Sequence, residues 1–147
     1  KINPTLMKKN KKSKKKILNN EISEKINPIL RKIVTTKEGT ASLANVNGYE
    51  IGGKTGTAQK STAGGYSNKK INTFASVFQT SNPKFVWVVM LDEPKINSEY
   101  IYNYRDGSGD KFKGTPFNTS GWTSVEVVGQ IIEKIGPILA TKYNEVY

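Results

Sequence analysis

Two apolar segments joined by a short turn constrain the fold of this chain most strongly. Residues 71–78 alternate in the manner of a strand, with Phe74, Ser76 and Phe78 on one face. Residues 85–91 are apolar on both faces, which predicts a central strand. Residues 80–84, between the two segments, include Asn-Pro and have a suitable length for a hairpin turn. The pair therefore predicts an antiparallel sheet.

Further elements flank this hairpin on both sides. Residues 51–59 are rich in glycine and polar residues and predict a third strand. Residues 94–121 predict a long loop. Ser124 is the predicted N-cap of a last helix, whose apolar stripe runs to Gly136-Pro137. This order predicts an α+β fold, an antiparallel meander with packed helices.

An earlier helix is predicted from isoleucines at helical spacing, beginning near Asn20 and closed by Gly39. Pro28 interrupts the pattern and leaves two alternatives open. Either the helix continues through Pro28 with a kink, or it begins there with Asn27 as its cap. The isoleucines that define the stripe are Ile22, Ile26, Ile29 and Ile33.

The residue types that are missing exclude several classes of function. The 147 residues include neither cysteine nor histidine, which excludes disulfides, thiol nucleophiles, imidazole bases and zinc sites built on these residues. We expect no metal and no cofactor. The longest apolar run, residues 85–91, is far shorter than the ~20 residues that span a bilayer, and no export signal is visible.

Positive charge is concentrated at the start of the chain. Residues 1–16 contain eight lysines and no acidic residue, within a net charge of +11. The run has no interleaved aromatic residues, so no nucleic-acid partner is expected. We predict a basic loop segment over residues 1–19 and a globular part over residues 20–147. A basic, non-enzymatic interaction module remains an alternative function.

A literal phosphate-loop pattern, G-x-x-x-x-G-K-T, runs from Gly48 to Thr55. Asp92 and Glu93 follow an apolar segment, as a magnesium-binding acid would. A phosphate loop needs a buried strand before it and a helix after its lysine, and neither flank has that composition. A nucleotide-binding fragment is therefore kept only as an alternative.

The same stretch also contains a K-T-G triplet, which suits acyl-transfer chemistry. Lys54 offers a fixed cation, while Thr55 and Thr57 offer hydroxyl donors to a substrate carboxylate. Gly56 lets a ligand backbone approach closely. Alternation along a strand places Lys54 on the face opposite to both threonines, so one ligand would have to lie along the strand's edge.

The pattern around this triplet is long. It comprises a glycine pair, K-T-G-T-A, a polar hairpin, the two strands with S-N-P-K between them, L-D-E-P, and Gly121-Trp122 before the last helix. Together with the opening N-P-T-L, it resembles class B penicillin-binding proteins, and the septal, cell-division type more than the elongation type. The resemblance implies the C-terminal part of a β-lactamase/transpeptidase-like fold and a serine-type D,D-transpeptidase that cross-links peptidoglycan stem peptides and binds β-lactams.

The resemblance also implies site residues and partners. Lys54 and Thr57 would be catalytic, with the Thr57 N–H as an oxyanion donor, and Thr55, Gly56 and Thr57 would bind substrate. Divisome proteins would be partners of the full-length protein. An inner-membrane anchor upstream of this chain would place the domain in the periplasm.

The chain departs from the family pattern at the nucleophile. Ser13 opens an S-x-x-K match, but it lies inside the lysine run, whereas an activated serine needs a buried position. No S-x-N follows before Lys54. We therefore expect a fragment that lacks the nucleophile and is inactive alone.

Overall fold

The computed structural model describes residues 17–36 and 38–142. Two helices, five strands and two short 3-10 turns follow one another in these ranges. They are α1 (Asn20–Thr35), a turn (Ser42–Ala44), β1 (Ile51–Thr62), β2 (Gly65–Phe78), β3 (Phe85–Asp92), β4 (Ile101–Asn103), β5 (Lys111–Lys113), a turn (Ser120–Trp122) and α2 (Ser124–Lys142). The lysine run and Ser13 lie outside the described residues.

The first three strands form the predicted antiparallel meander, in the order β1-β2-β3. Ile51 pairs with Phe78 in the first hairpin, and Phe78 pairs with Phe85 across the predicted turn in the second. The strands β1 and β2 extend beyond the predicted bounds to a tight turn between Thr62 and Gly65. The α+β prediction is confirmed.

The prediction that β3 is central was wrong for the described part of the chain. There β3 lies at an edge and β2 lies in the middle. Val86, Val88 and Met90 are 70%, 64% and 65% exposed. An apolar composition on both faces shows what a strand is able to bury, but it does not specify how many strands pair with it.

The core lies on the other face of the sheet. Phe74 and Phe78 are buried there with Val128 and Ile132 of α2, and the Trp87 ring stacks on Phe78 at 5.5 Å. This face packs against α2. As predicted, Phe74, Ser76 and Phe78 share it.

The helix α1 is continuous through Pro28, so the alternative in which the helix begins at Pro28 was wrong. Asn27 lies inside the helix and so is not its cap, and its Nδ2 donates to the Thr80 carbonyl at 3.1 Å. Of the helix residues only Val34 is fully buried. The exposed fractions of Ile22, Ile26 and Ile29 are 40%, 44% and 60%, so these three residues are only partly covered within the described residues, whereas Ile33 packs against the core.

The helix α2 departs from its predicted ends. Ser124 is the first helical residue rather than a cap, and its hydroxyl lies 2.7 Å from that of Ser120. The helix continues past Gly136 and Pro137 to Lys142. A Cβ at Gly136 would lie 2.6 Å from the Tyr49 ring. That glycine therefore serves close packing and does not end the helix.

The predicted long loop contains an ordered hairpin, β4 paired with β5. Arg105 joins this hairpin to α2 through two 2.8 Å bonds to the Glu126 carboxylate. The Tyr100 hydroxyl donates to the same carboxylate at 3.0 Å. The segment before α2 is therefore held in a fixed position. Across the described ranges, neither helix has the length and apolar character needed to cross a membrane.

Candidate functional site

The K-T-G stretch lies in the middle of β1, at an edge of the described sheet. Lys54 pairs with Ala75 and Thr55 pairs with buried Phe74, so consecutive residues point to opposite faces. Lys54 and Gly56 share one face, and Thr55 and Thr57 share the other. This is the alternation that the sequence predicted.

The main-chain groups of β1 divide between its two edges. The Ile51 carbonyl accepts a 2.8 Å bond from Arg31 Nη1, and the Thr55 carbonyl accepts a 2.7 Å bond from Lys54 Nζ. Both carbonyls therefore point away from β2. Because alternate residues of an antiparallel strand direct their amide and carbonyl groups to the same edge, Thr57 also presents its N–H and C=O to the outer edge. An extended ligand is able to pair with such groups.

Two loop residues contact the threonine hydroxyls. Thr40, in the loop after α1, lies 2.9 Å from Thr55 through the two side-chain oxygens. The backbone N–H of Ser120, in the turn before α2, donates to Thr57 Oγ1 at 3.0 Å. The two loops also touch, because a Cβ at Gly121 would lie 2.7 Å from the Thr40 carbonyl oxygen.

Sequence reasoning missed Thr40 and Ser120. Both are common polar residues in loops, and Ser120 is 63 positions from Thr57. Hydrophobic periodicity, turn composition and motif spacing carry no information on a contact of that separation. Only the packing of the two loops against β1 reveals it.

The glycine pair before Lys54 permits close packing on both sides of β1. A Cβ at Gly52 would lie 3.0 Å from the main chain of α1 at Arg31, and one at Gly53 would lie 2.6 Å from the Phe74 ring. At Gly56 the nearest neighbouring atom is the Thr73 carbonyl oxygen at 3.8 Å. The strand is thus tightly enclosed before Lys54 and open beside it.

Arg31 fixes the start of β1. Besides its bond to the Ile51 carbonyl, it donates to Asn45 Oδ1 at 3.1 Å. Burial lowers the pKa of Arg31, and the nearby Glu50 carboxylate partly offsets this. The Glu50 carboxylate accepts a bond from the Ser81 N–H at 3.1 Å, and its hydrogen bonds with Ser81 lower the pKa of Glu50. These contacts anchor the end of the strand that leads into Lys54.

The Lys54 side chain is exposed. It borders a shallow depression between α1 and β1, which is also lined by Ile29, Ile33 and Thr40. A larger cavity, about 550 Å³, lies at the far end of α1 beside Asn27 and contains none of the K-T-G residues. The surface of β1 beside Lys54 is therefore open within the described residues.

The phosphate-loop alternative was wrong. Lys54 lies within a continuous strand that runs to Thr62, and the next element is the strand β2 rather than a helix. Lys60 contacts Asp92 and Glu93 at 2.7 Å each. Hydrogen bonds from Lys60 and Lys69 lower the pKa of Glu93. Within residues 17–36 and 38–142, no group of three acidic side chains is arranged to hold a metal ion.

Comparisons with known proteins agree with this geometry. A family model, the penicillin binding protein transpeptidase domain, matches residues 1–111. The chain is 43% identical over 84 residues to a peptidoglycan D,D-transpeptidase FtsI homolog of Chlorokybus atmophyticus, covering 56% of the chain and 12% of that protein. It is 29% identical over 136 residues to a probable peptidoglycan D,D-transpeptidase FtsI of Caulobacter vibrioides (strain NA1000 / CB15N), covering 87% of the chain and 21% of that protein.

A solved structure supports the same assignment. The chain superposes on penicillin-binding protein 3 of Mycobacterium tuberculosis, complexed with aztreonam, with a TM-score of 0.58 and 26% identity. That match covers 82% of this chain and 25% of the other. The chain therefore spans between 12% and 25% of the length of these three proteins. The match over residues 1–111, together with the fold, confirms the predicted resemblance: the chain belongs to the family of penicillin-binding protein transpeptidase domains.

Proposed function

We propose that this chain forms part of a penicillin-binding D,D-transpeptidase that cross-links the stem peptides of peptidoglycan. One observation carries the proposal. The K-T-G-T stretch of a chain in this family lies on an edge strand, and the Thr55 and Thr57 main-chain groups face the outer edge. An extended peptide donor, or a β-lactam, would lie along that edge.

The proposed chemistry is acyl transfer through a serine supplied by another part of the protein. The serine oxygen bonds to the carbonyl carbon of the donor peptide, and the terminal residue leaves as an amine after taking a proton. An amino group of a second stem peptide then attacks the ester, forms the new amide and restores the serine. The same serine, acylated by a β-lactam, forms a stable ester.

Four residues of this chain would serve those steps. Lys54 supplies positive charge beside the reacting serine and the substrate carboxylate, and Gly56 keeps the surface beside it open. Thr55 and Thr57 donate hydroxyl hydrogen bonds to the carboxylate. The Thr57 N–H stabilises the oxyanion, a contribution typically of about 10²–10³ in rate for one donor.

The relatives named FtsI support a role in cell-wall synthesis at division. We infer that the full-length protein is held in the inner membrane by a segment outside this chain, with the transpeptidase domain in the periplasm. Divisome proteins would be its partners through the full-length chain. The described part of this chain would contribute the substrate-binding strand.

The test is acylation of the complete transpeptidase by benzylpenicillin. Lys54→Ala is expected to lower the acylation rate constant by orders of magnitude. Lys134→Ala removes the same charge from an exposed position on α2 and serves as the matched control, with acylation close to wild type. Unchanged acylation in Lys54→Ala would remove Lys54 from the site, and a wild-type protein that benzylpenicillin does not acylate would refute the proposed function.

A further inference from the structure

The turn before α2 reaches the proposed substrate strand through a single backbone donor. The Ser120 N–H donates to Thr57 Oγ1 at 3.0 Å. Ser120 itself is fully buried. Its hydroxyl donates to the Thr73 carbonyl at 2.7 Å and lies 2.7 Å from the hydroxyl of Ser124. The donor is therefore fixed by β2 and α2 rather than by the ligand.

The turn around Ser120 is held on its other sides as well. Asn72 Nδ2 donates at 2.9 Å to Thr123 Oγ1 and at 2.9 Å to Asn118 Oδ1. The Trp122 ring meets the Tyr102 ring edge-on at 5.1 Å. Bonds from both sides of the turn keep the Ser120 N–H aimed at β1 before any ligand arrives.

This bond has a direct effect on what Thr57 offers a ligand. A hydroxyl oxygen that accepts an N–H bond keeps its own hydrogen for another acceptor. Since Thr57 is exposed, its O–H is available at the surface as a donor.

We propose that the Ser120 N–H is a positioning group that commits the Thr57 hydroxyl to act as a donor and so makes the site select a carboxylate over a neutral ester. The inference rests on the proposed function, because it takes Thr57 as part of the ligand site. Ser120 acts through Thr57 and does not touch the ligand. Hydrogen bonds to charged groups are stronger than neutral ones, so a fixed O–H donor favours an anionic acceptor.

The experiment compares acylation of the complete transpeptidase by benzylpenicillin and by its methyl ester. The readout is the second-order rate constant for benzylpenicillin divided by the one for the methyl ester. Ser120→Pro removes the N–H. Thr119 has a ψ of 161°, which is compatible with a following proline. We expect the ratio to fall at least about tenfold, as for loss of one hydrogen bond to a charged group. Ser120→Ala retains the N–H and should keep the wild-type ratio, even if its melting temperature is lower.

Two further variants keep the test decisive if Ser120→Pro does not fold. Thr57→Val, which lacks the hydroxyl, should lower the ratio at least as much. Thr57→Ser should stay within about threefold of wild type, because the Ser120 bond rather than the β-methyl group sets the side-chain position. A folded Ser120→Pro variant with the wild-type ratio, or a loss in Thr57→Ser as large as in Thr57→Val, would overturn the inference. Absence of acylation in the wild-type protein would instead refute the proposed function.

Discussion

Substitution by alanine should lower stability at Gly53, before Lys54, and should slow acylation without loss of stability at Gly56, after it. Gly53→Ala adds a methyl group whose carbon would lie 2.6 Å from the Phe74 ring and 2.6 Å from the Ala75 carbonyl oxygen. Favourable carbon contacts lie at about 3.5–4.0 Å. Phe74 is fully buried, so it has no free space to move into. Overpacking of this kind costs about 1–3 kcal/mol of unfolding free energy.

Gly56→Ala is the matched control for stability. The nearest neighbouring atom to its added carbon is 3.8 Å away, so the unfolding free energy should change by less than about 0.5 kcal/mol. The added methyl group projects on the face of β1 that carries Lys54, beside the strand edge along which the ligand is proposed to lie. We therefore expect slower acylation by benzylpenicillin in a protein of normal stability.

The assay is urea unfolding of both variants in the complete transpeptidase, together with the acylation rate of each. The expected pattern is a lowered unfolding midpoint for Gly53→Ala alone and normal stability with slow acylation for Gly56→Ala. If Gly53→Ala is as stable as Gly56→Ala, the close packing of β1 against Phe74 is incorrect.

Three other predictions concern the segment before α2 and the exposed sheet face. Glu126→Gln should cost about 3 kcal/mol of unfolding free energy, because it leaves the buried Arg105 without its main anion. Glu133→Gln, at a side chain that is 60% exposed, should cost under about 1 kcal/mol. Chemical denaturation of the two variants compares these losses. Burial raises the pKa of Tyr100 to about 12, so Tyr100→Phe should remove a step near that pH from the tyrosinate absorbance titration. Because the unfolded phenol ionises near pH ~10, the corresponding stabilisation should be present below that pH and lost as the pH rises toward 12. The isolated 147-residue chain should lack a cooperative thermal transition, since apolar residues such as Val88 remain 64% exposed; a sharp calorimetric peak would contradict this.

The sequence predicted the helices and strands of the fold better than it predicted which segments pack against them. Alternation placed Phe74 and Phe78 on one buried face correctly, because a strand with one buried face has a strict period of two. The apolar residues of β3 and the isoleucines of α1 were also identified, but several of them stay exposed among the described residues. Periodicity reports what a segment is able to bury, and burial itself depends on the rest of the domain.

Helix ends and long-range contacts were harder to predict. Gly136 and Pro137 normally indicate a helix end, yet α2 continues through both of them, and Gly136 lies against the Tyr49 ring. Lys54, Thr55 and Thr57 could be proposed as site residues from the sequence because the motif is local. The contact between Ser120 and Thr57 depends on two segments that meet only when the sheet and α2 pack together, which no local pattern encodes.

Fluorescent penicillin labelling tests the central claim most directly. An extract of the source cells would be labelled, separated on a gel and blotted with an antibody raised against this chain. The proposed function predicts that the antibody-positive band is fluorescent, that excess unlabelled benzylpenicillin abolishes the signal, and that the band is several times larger than 16.3 kDa. An antibody-positive band without fluorescence, in an extract where other penicillin-binding proteins are labelled, would contradict it.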